Sequence, residues 1–223
     1  GSFLMGSPEN EAERKSNEGP QHEVTIQPFY MSKYPITQNQ YQTIMGNNPS
    51  SFKGGSRPVE WVSWQNAVEF CQKLSEKTGK IYTLPSESQW EYSCRTGTTT
   101  PFYFGETITP ELVNYDGNYP YGNAPKGKYL AETTNVEAFK PNAFGLYDMH
   151  GNIWEWCQDV WHENYNGAPT DGSAWEVGGD SNIRVLRGGC WYGYSRSCRS
   201  ARRNYGNAVI LNNNRGFRVA IKK

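Results

Sequence analysis

The chain has 223 residues, with 22 Lys and Arg against 22 Asp and Glu, 14% aromatic residues, 23 Gly and 13 Pro. That length is enough for one large domain with a substantial core, and so much aromatic, Gly and Pro content argues for a loop-rich fold held by aromatic packing and against a helical bundle. No apolar run approaches the roughly 18 residues of a membrane span, and no signal-peptide pattern is read, so a cytoplasmic protein is expected.

In chain order, residues 24–34 (VTIQPFYMSKY) alternate and carry β-branched side chains, which predicts a strand. Ser63 is placed to cap a helix over Trp64–Thr78, where Ala67, Val68, Cys71 and Leu74 recur at helical spacing and Gly79 stops it. A second, short helix is expected after Pro85, with Ser86 and Gln89 at capping-box spacing and Trp90 and Cys94 on one face. Turn-forming residues dominate residues 97–142, predicting a long irregular region too aromatic for a disordered linker. Gly145 and Gly151 suit tight turns, and Trp154 and Trp156 read as large anchors on one side of an extended segment with Glu155 on the other. Residues 185–187 and 217–221 are short strand candidates bracketing an irregular, Asn-rich stretch. The class predicted is α+β, coil-rich, in a single domain over residues 1–223.

Zero net charge conceals a polarity. From Ser181 to Lys223 there are eight Arg and two Lys with no acid, so residues 1–180 carry a balance of −10. The cations are scattered among aromatic, Gly and Asn residues and do not form a basic block, so the expectation is that many arginines bridge to upstream carboxylates and that nucleic acid is not the partner. Five cysteines (Cys71, Cys94, Cys157, Cys190, Cys198) without a CxxC pair do not read as a disulfide framework. Cys71 and Cys94 read as small core residues.

Eight phrases in order resemble the formylglycine-generating-enzyme (sulfatase-modifying factor) family: FLMGS (3–7), YPIT (34–37), RPV with VSW (57–64), LPSE with QWE (84–91), NAFGLYDM (142–149), GNIWEW (151–156), RGG (187–189) and GFRV (216–219). The resemblance implies a C-type-lectin-like fold of the formylglycine-generating subtype. It implies a structural calcium ion on the side chains of Asp148 and Glu155 and the carbonyls of Gly151 and Ile153, a set of oxygens that suits a hard cation. The competing reading pairs Glu155 with an arginine of the basic tail and leaves the metal out. A second calcium position would match Asn114 and Tyr115, but Lys128 or its neighbours stand where an acid is needed.

The family's oxidases use two cysteines five positions apart to hold Cu(I), a soft ion that prefers thiolates. Counted from Gly188-Gly189, Gly193 stands at the first of these positions and Cys198 at the second, so the pair is absent and formylglycine formation is not expected. Iron chemistry is not expected either, since His22, His150 and His162 form no close pair, and His150 reads as a packed residue. No nucleophile elbow or phosphate loop is present.

Residues 187–218 also resemble the variable region of proteins diversified by retroelements, in which a lectin-like scaffold displays altered positions near its C-terminus. Trp191, Tyr192, Gly193, Tyr194, Ser197, Arg202, Tyr205, Gly206, Ile210 and Arg215 are the candidate ligand-contacting residues. Rings, small polar groups and a planar cation are the palette of adaptable recognition surfaces. Val209-Ile210-Leu211 adds a candidate contact patch. The expectation is a non-catalytic domain that binds a protein or other macromolecule. The alternatives are an ordinary aromatic surface, or an oxidoreductase with altered metal chemistry.

Overall fold

The structure, a computed structural model, describes residues 1–222. The helices form where side chains can cap them. Helix α2 spans Trp64–Thr78, its N-cap Ser63 accepting from Asn66 N–H at 3.1 Å, and Gly79 ends it in the left-handed conformation. Helix α3 spans Glu87–Arg95 behind a reciprocal Ser86–Gln89 capping box. Both follow the sequence reading. A further helix, α1 (Gln38–Met45), was not predicted: Thr37 and Gln40 cap each other and Gly46 ends it. Its QNQYQ run buries only Gln38 and Tyr41, too little apolar periodicity to be read from sequence.

The strands are short and fall into three sheets. Strand β1 (Ser2–Met5) pairs antiparallel with β2 (His22–Thr25). The strand expected over 24–34 is broken at Pro28, and its second half, β3 (Phe29–Met31), joins a different sheet in which the last strand, Ala220–Lys222, also pairs with β4 (Tyr82–Thr83). The central sheet carries β5 (Trp154–Val160), β6 (Ile183–Arg187), β7 (Arg203–Asn207) and β8 (Arg215–Gly216), with the final Ala220–Lys222 strand numbered β9. Its order is β7-β6-β5-β8, antiparallel except for the parallel β5–β8 pair. The tail stretch read as irregular therefore contains β7 and β8, and the strand expected over 217–221 begins only at Ala220. The ladder register overrides a weak β-propensity in the sequence NYGN.

Residues 97–142 form no helix and no strand beyond an isolated bridge between Phe102 and Gly105, in keeping with the irregular region expected, yet they carry their own buried cluster of Phe102, Ile108, Val113, Tyr115 and Tyr121 with Cys198. His150 pins this loop. It is buried between Phe102, Tyr103 and Phe104, its Nδ1 lies 2.6 Å from the Cys198 carbonyl, and its Nε2 accepts from Tyr103 N–H at 3.1 Å. Those contacts require a neutral ring with its proton on Nδ1. Burial, with the Arg95 charge adding to it, pushes the imidazole down to about 4, while the Cys198 carbonyl opposes the shift.

Four tail arginines are fully buried: Arg187, Arg199, Arg203 and Arg218. Each finds a carboxylate from upstream. Arg187 pairs with Glu91 and lies 3.5 Å from Glu87, and Arg203 forks onto Glu87 at 2.7 and 3.0 Å. Arg199 forks onto Glu18 at 2.6 and 2.8 Å with Glu11 beside it. Arg218 grips both oxygens of Glu155 at 2.6 and 2.8 Å. Burial alone would raise the Glu87 carboxyl, but the charges of Arg203 and Arg187 outweigh it and hold it below the ordinary range. Four of the tail's eight arginines are thus spent inside the protein.

Two expectations follow. Removing one member of a buried pair strands the other charge, so Arg218→Met should cost about 3–5 kcal/mol in urea unfolding. Glu155→Leu combined with Arg218→Met should cost less than Arg218→Met alone, with recovery limited by the Trp90 N–H that also uses Glu155. For His150, the unfolded chain binds a proton near pH 6.5 and the folded protein only near pH 4. The stability it contributes is therefore present above pH 6.5 and lost as pH falls toward 4, by up to about 3 kcal/mol. His150→Gln, which cannot titrate, should remove that part of the slope in unfolding curves collected across this range.

Candidate recognition surface

The candidate residues lie on the segment between β6 and β8, and the structure divides them. Trp191 is buried, donates its indole N–H to the Asn213 carbonyl at 3.1 Å and packs edge-on against Phe52 and Tyr192. Tyr192 is 42% exposed, and its hydroxyl accepts from the Asn214 side-chain amide at 2.7 Å. Gly206, on β7, is buried where a Cβ would stand 2.7 Å from Arg215 Nη1 and 2.8 Å from the Trp156 ring, so its lack of a side chain makes room for both. Arg215 lies over the Trp156 ring, 5.4 Å from its centre. Trp191 and Tyr192 thus pack together, as do Gly206 and Arg215, and the side chain of Asn214, next to Arg215 in sequence, reaches the Tyr192 hydroxyl.

The remaining candidates are placed elsewhere. Tyr205 is exposed but stacks against Trp161, on the face of β7 opposite Gly206, because successive side chains alternate along a strand. Tyr194 stacks on Tyr119 with ring centres 3.9 Å apart, and Arg196 lies over it. Arg202 sits 3.9 Å from Glu18 and Ser197 is half-buried. Gly193 is half-buried in a turn, its N–H donating to the Cys190 carbonyl at 2.9 Å. Ile210 is exposed together with Val209 and Leu211 on the loop from β7 to β8.

Trp61 belongs with this loop, and the sequence reading missed it. Its N–H donates to the Asn212 carbonyl at 2.9 Å, its side chain is 43% exposed, and its backbone is left-handed at φ 65°. A bulky residue held in that region is strained, and such strain gathers at functional positions. The tripeptide Glu60-Trp61-Val62 carries no turn signal that announces it.

The thiols do not form an open reactive centre. All five cysteines are free and buried. Burial pushes the Cys190 thiol up to about 11 and the Cys198 thiol well above its usual value, so both stay protonated. A Cβ on Gly193 would stand 3.5 Å from Cys190 Sγ, so the position that counting from Gly188-Gly189 aligns with the family's first cysteine lies near a thiol yet carries no sulfur itself.

The segment read as a calcium site does curl, with Asp148, Gly151 and Asn152 all at positive φ. However, Glu155 is already engaged: Oε2 accepts from Trp90 Nε1 at 2.7 Å and Arg218 Nε at 2.6 Å, and Oε1 accepts from Arg218 Nη2. The Gly151 carbonyl accepts the Ile153 N–H at 2.9 Å. Burial raises the Asp148 carboxyl to about 7, against the opposing Asn152 amide and Arg218 charge. A divalent cation shared by Asp148 and Glu155 would lie against a buried guanidinium, so these residues do not fit the ion. Among the described residues, no group of three or more His, Cys, Asp or Glu is arranged to hold a metal. Excess EDTA, and excess calcium after it, should accordingly leave the melting temperature unchanged. A rise with calcium that is lost in Asp148→Asn would restore the ion.

Known proteins place this geometry. The structure superposes on PvdO from Pseudomonas aeruginosa with a TM-score of 0.88 at 35% identity, covering 100% of this chain and 92% of that one. It superposes on Treponema denticola variable protein 1 with a TM-score of 0.83 at 26% identity, again covering 100% and 92%. Mouse formylglycine-generating enzyme is 30% identical over 205 residues, 88% of this chain and 52% of that enzyme, so the chain spans about half its length. These likenesses bear out the expected α+β, C-type-lectin-like fold of the formylglycine-generating subtype. The sulfatase-modifying factor enzyme 1-like domain family matches residues 1–223 from end to end, and the chain belongs to that family.

Proposed function

We propose that the chain is a ligand-binding domain that does no chemistry itself and recognises a protein through the surface built by Tyr192, Arg215, Trp61 and the 209–211 loop. The observation that carries this reading is the division within the tail. Arginines that hold the fold are buried and paired, while tyrosines, an arginine and an apolar loop between them reach solvent. A surface assembled that way can change without disturbing its support. The likeness to the Treponema variable protein, at 26% identity over the whole chain, supports a retroelement-type display of residues 187–218.

Such display predicts that single alanine substitutions at Tyr192, Tyr194, Ser197 and Ile210 each cost no more than about 1 kcal/mol in unfolding. Arg187→Ala or Arg203→Ala should cost several times as much. Exposed positions that proved as costly as the buried arginines would remove the basis for display. At the nucleotide level, a near-copy of the codons for 187–218, differing only at adenines, should lie beside a reverse-transcriptase gene.

Oxidoreductase chemistry is the second reading, favoured by the mouse relative and by Cys198 at the family's second sulfur position. Anaerobic Cu(I) titration separates the two readings. Binding of one equivalent that vanishes in Cys198→Ser would favour the enzyme, whereas the proposed function expects no tight stoichiometric site.

A further inference from the structure

Among the tail arginines, Arg215 stands apart. Arg187, Arg199, Arg203 and Arg218 are paired inside the protein, Arg196 meets Glu13, Arg202 lies near Glu18, and Arg184 donates to the Gln158 carbonyl while covering the Trp64 ring. The Arg215 side chain has no hydrogen bond and no ion pair among the described residues; its Nε is enclosed without a partner, as are those of Arg184, Arg187, Arg199 and Arg202, but each of those four meets a partner through another nitrogen. Burial presses on its charged form, opposed by Tyr192 and Cys190 and by no carboxylate. A half-buried guanidinium without a counter-charge is costly, and a ligand carboxylate would relieve that cost.

The neighbourhood is shaped for such a group. Gly206 leaves the guanidinium space against the Trp156 ring. The Tyr192 hydroxyl accepts from Asn214 and so keeps its own proton to donate outward. A planar fork beside an O–H donor matches the two oxygens of a carboxylate. On the loop leading into β8, Val209, Ile210 and Leu211 offer exposed apolar surface, and Trp61 is tied to the same loop through Asn212. A nucleic-acid backbone would need several cations in a row, and among the described residues of this surface Arg215 stands alone as an unpaired one.

We propose that Arg215, assisted by the Tyr192 hydroxyl, anchors a carboxylate of the ligand, so that the protein recognised presents an Asp or Glu side chain flanked by apolar residues. This rests on the recognition surface proposed above and adds the chemistry of what it takes. The test pans a random heptapeptide library displayed on phage against the full chain, then measures synthetic versions of the enriched peptides by fluorescence anisotropy. The expected consensus holds one acid beside apolar residues. Changing that acid to its amide should weaken binding at least tenfold on the native chain and less than twofold on Arg215→Gln. Arg215→Lys should retain part of the affinity, and Tyr192→Phe should lose part of it. Melting curves confirm that each variant is folded, and Arg215→Lys keeps the test valid if Arg215→Gln is not. Peptides that depend on Tyr192 and Trp61 but carry no acid, or that ignore Arg215→Gln, would overturn the carboxylate anchor and leave the surface standing. Failure to enrich any acidic peptide would also overturn the anchor. Enriched peptides indifferent to Tyr192→Ala, Trp61→Ala and Arg215→Gln alike would sink the surface itself. Binding of a labelled single-stranded oligonucleotide that is abolished by Arg215→Gln would replace the protein ligand with a nucleic acid.

Discussion

The fold depends on buried guanidinium–carboxylate pairs that tie the C-terminal tail to carboxylates upstream of it. Arg199 reaches Glu18, Arg203 reaches Glu87, Arg187 reaches Glu91, and Arg218 reaches Glu155. None of these links is local, and the longest spans 181 residues. Their desolvation offsets much of their Coulombic gain, so they are poor sources of net stability compared with an apolar core of the same volume. What they supply is an arrangement that tolerates no substitute: a displaced tail would leave four charges buried without partners. In a chain with little regular secondary structure and strands of two to seven residues, that penalty against wrong packing does what long ladders do elsewhere.

The forks also explain how much of the fold was legible. Helices α2 and α3 could be read because capping and stop signals flank an apolar stripe, and the β5 alternation of Trp154 and Trp156 against Glu155 held because both faces of that strand are covered. The charge polarity pointed to bridging between tail and body, and the bridges are there. Which arginine bridges and which does not could not be read, because Arg203 and Arg202 are adjacent yet one is buried and the other half-buried. That difference is set by β7 pairing with β6, and the strand was itself hidden by turn-forming residues. Helix α1 was missed for the converse reason, since its caps are strong but its faces are mostly polar.

The candidate site was half legible. Composition marked the tail as a recognition palette, and Tyr192, Ile210 and Arg215 do reach the surface or its edge. Strand alternation then assigned Tyr205 to the Trp161 side, a separation visible only once the register of β7 is known. Trp61 stands 151 positions before Asn212, whose carbonyl accepts its backbone N–H. For the calcium reading the structure adds a competitor for Glu155: motif matching sees the carboxylate but not the guanidinium that already holds it.

Two uses of arginine therefore coexist within residues 184–218, and counter-charge tells them apart better than exposure does. A paired, buried arginine is architecture; its removal is felt as instability whatever the ligand. Arg215 is also partly buried, yet it has nothing to pair with and a glycine opposite to admit it. Natural proteins seldom leave a guanidinium in that state for structural reasons, because a neighbouring acid or full exposure would be cheaper. In a tail where Arg187, Arg199, Arg203 and Arg218 each meet a buried carboxylate, an unmatched guanidinium at Arg215 is better explained by a partner that arrives from outside than by an oversight of packing.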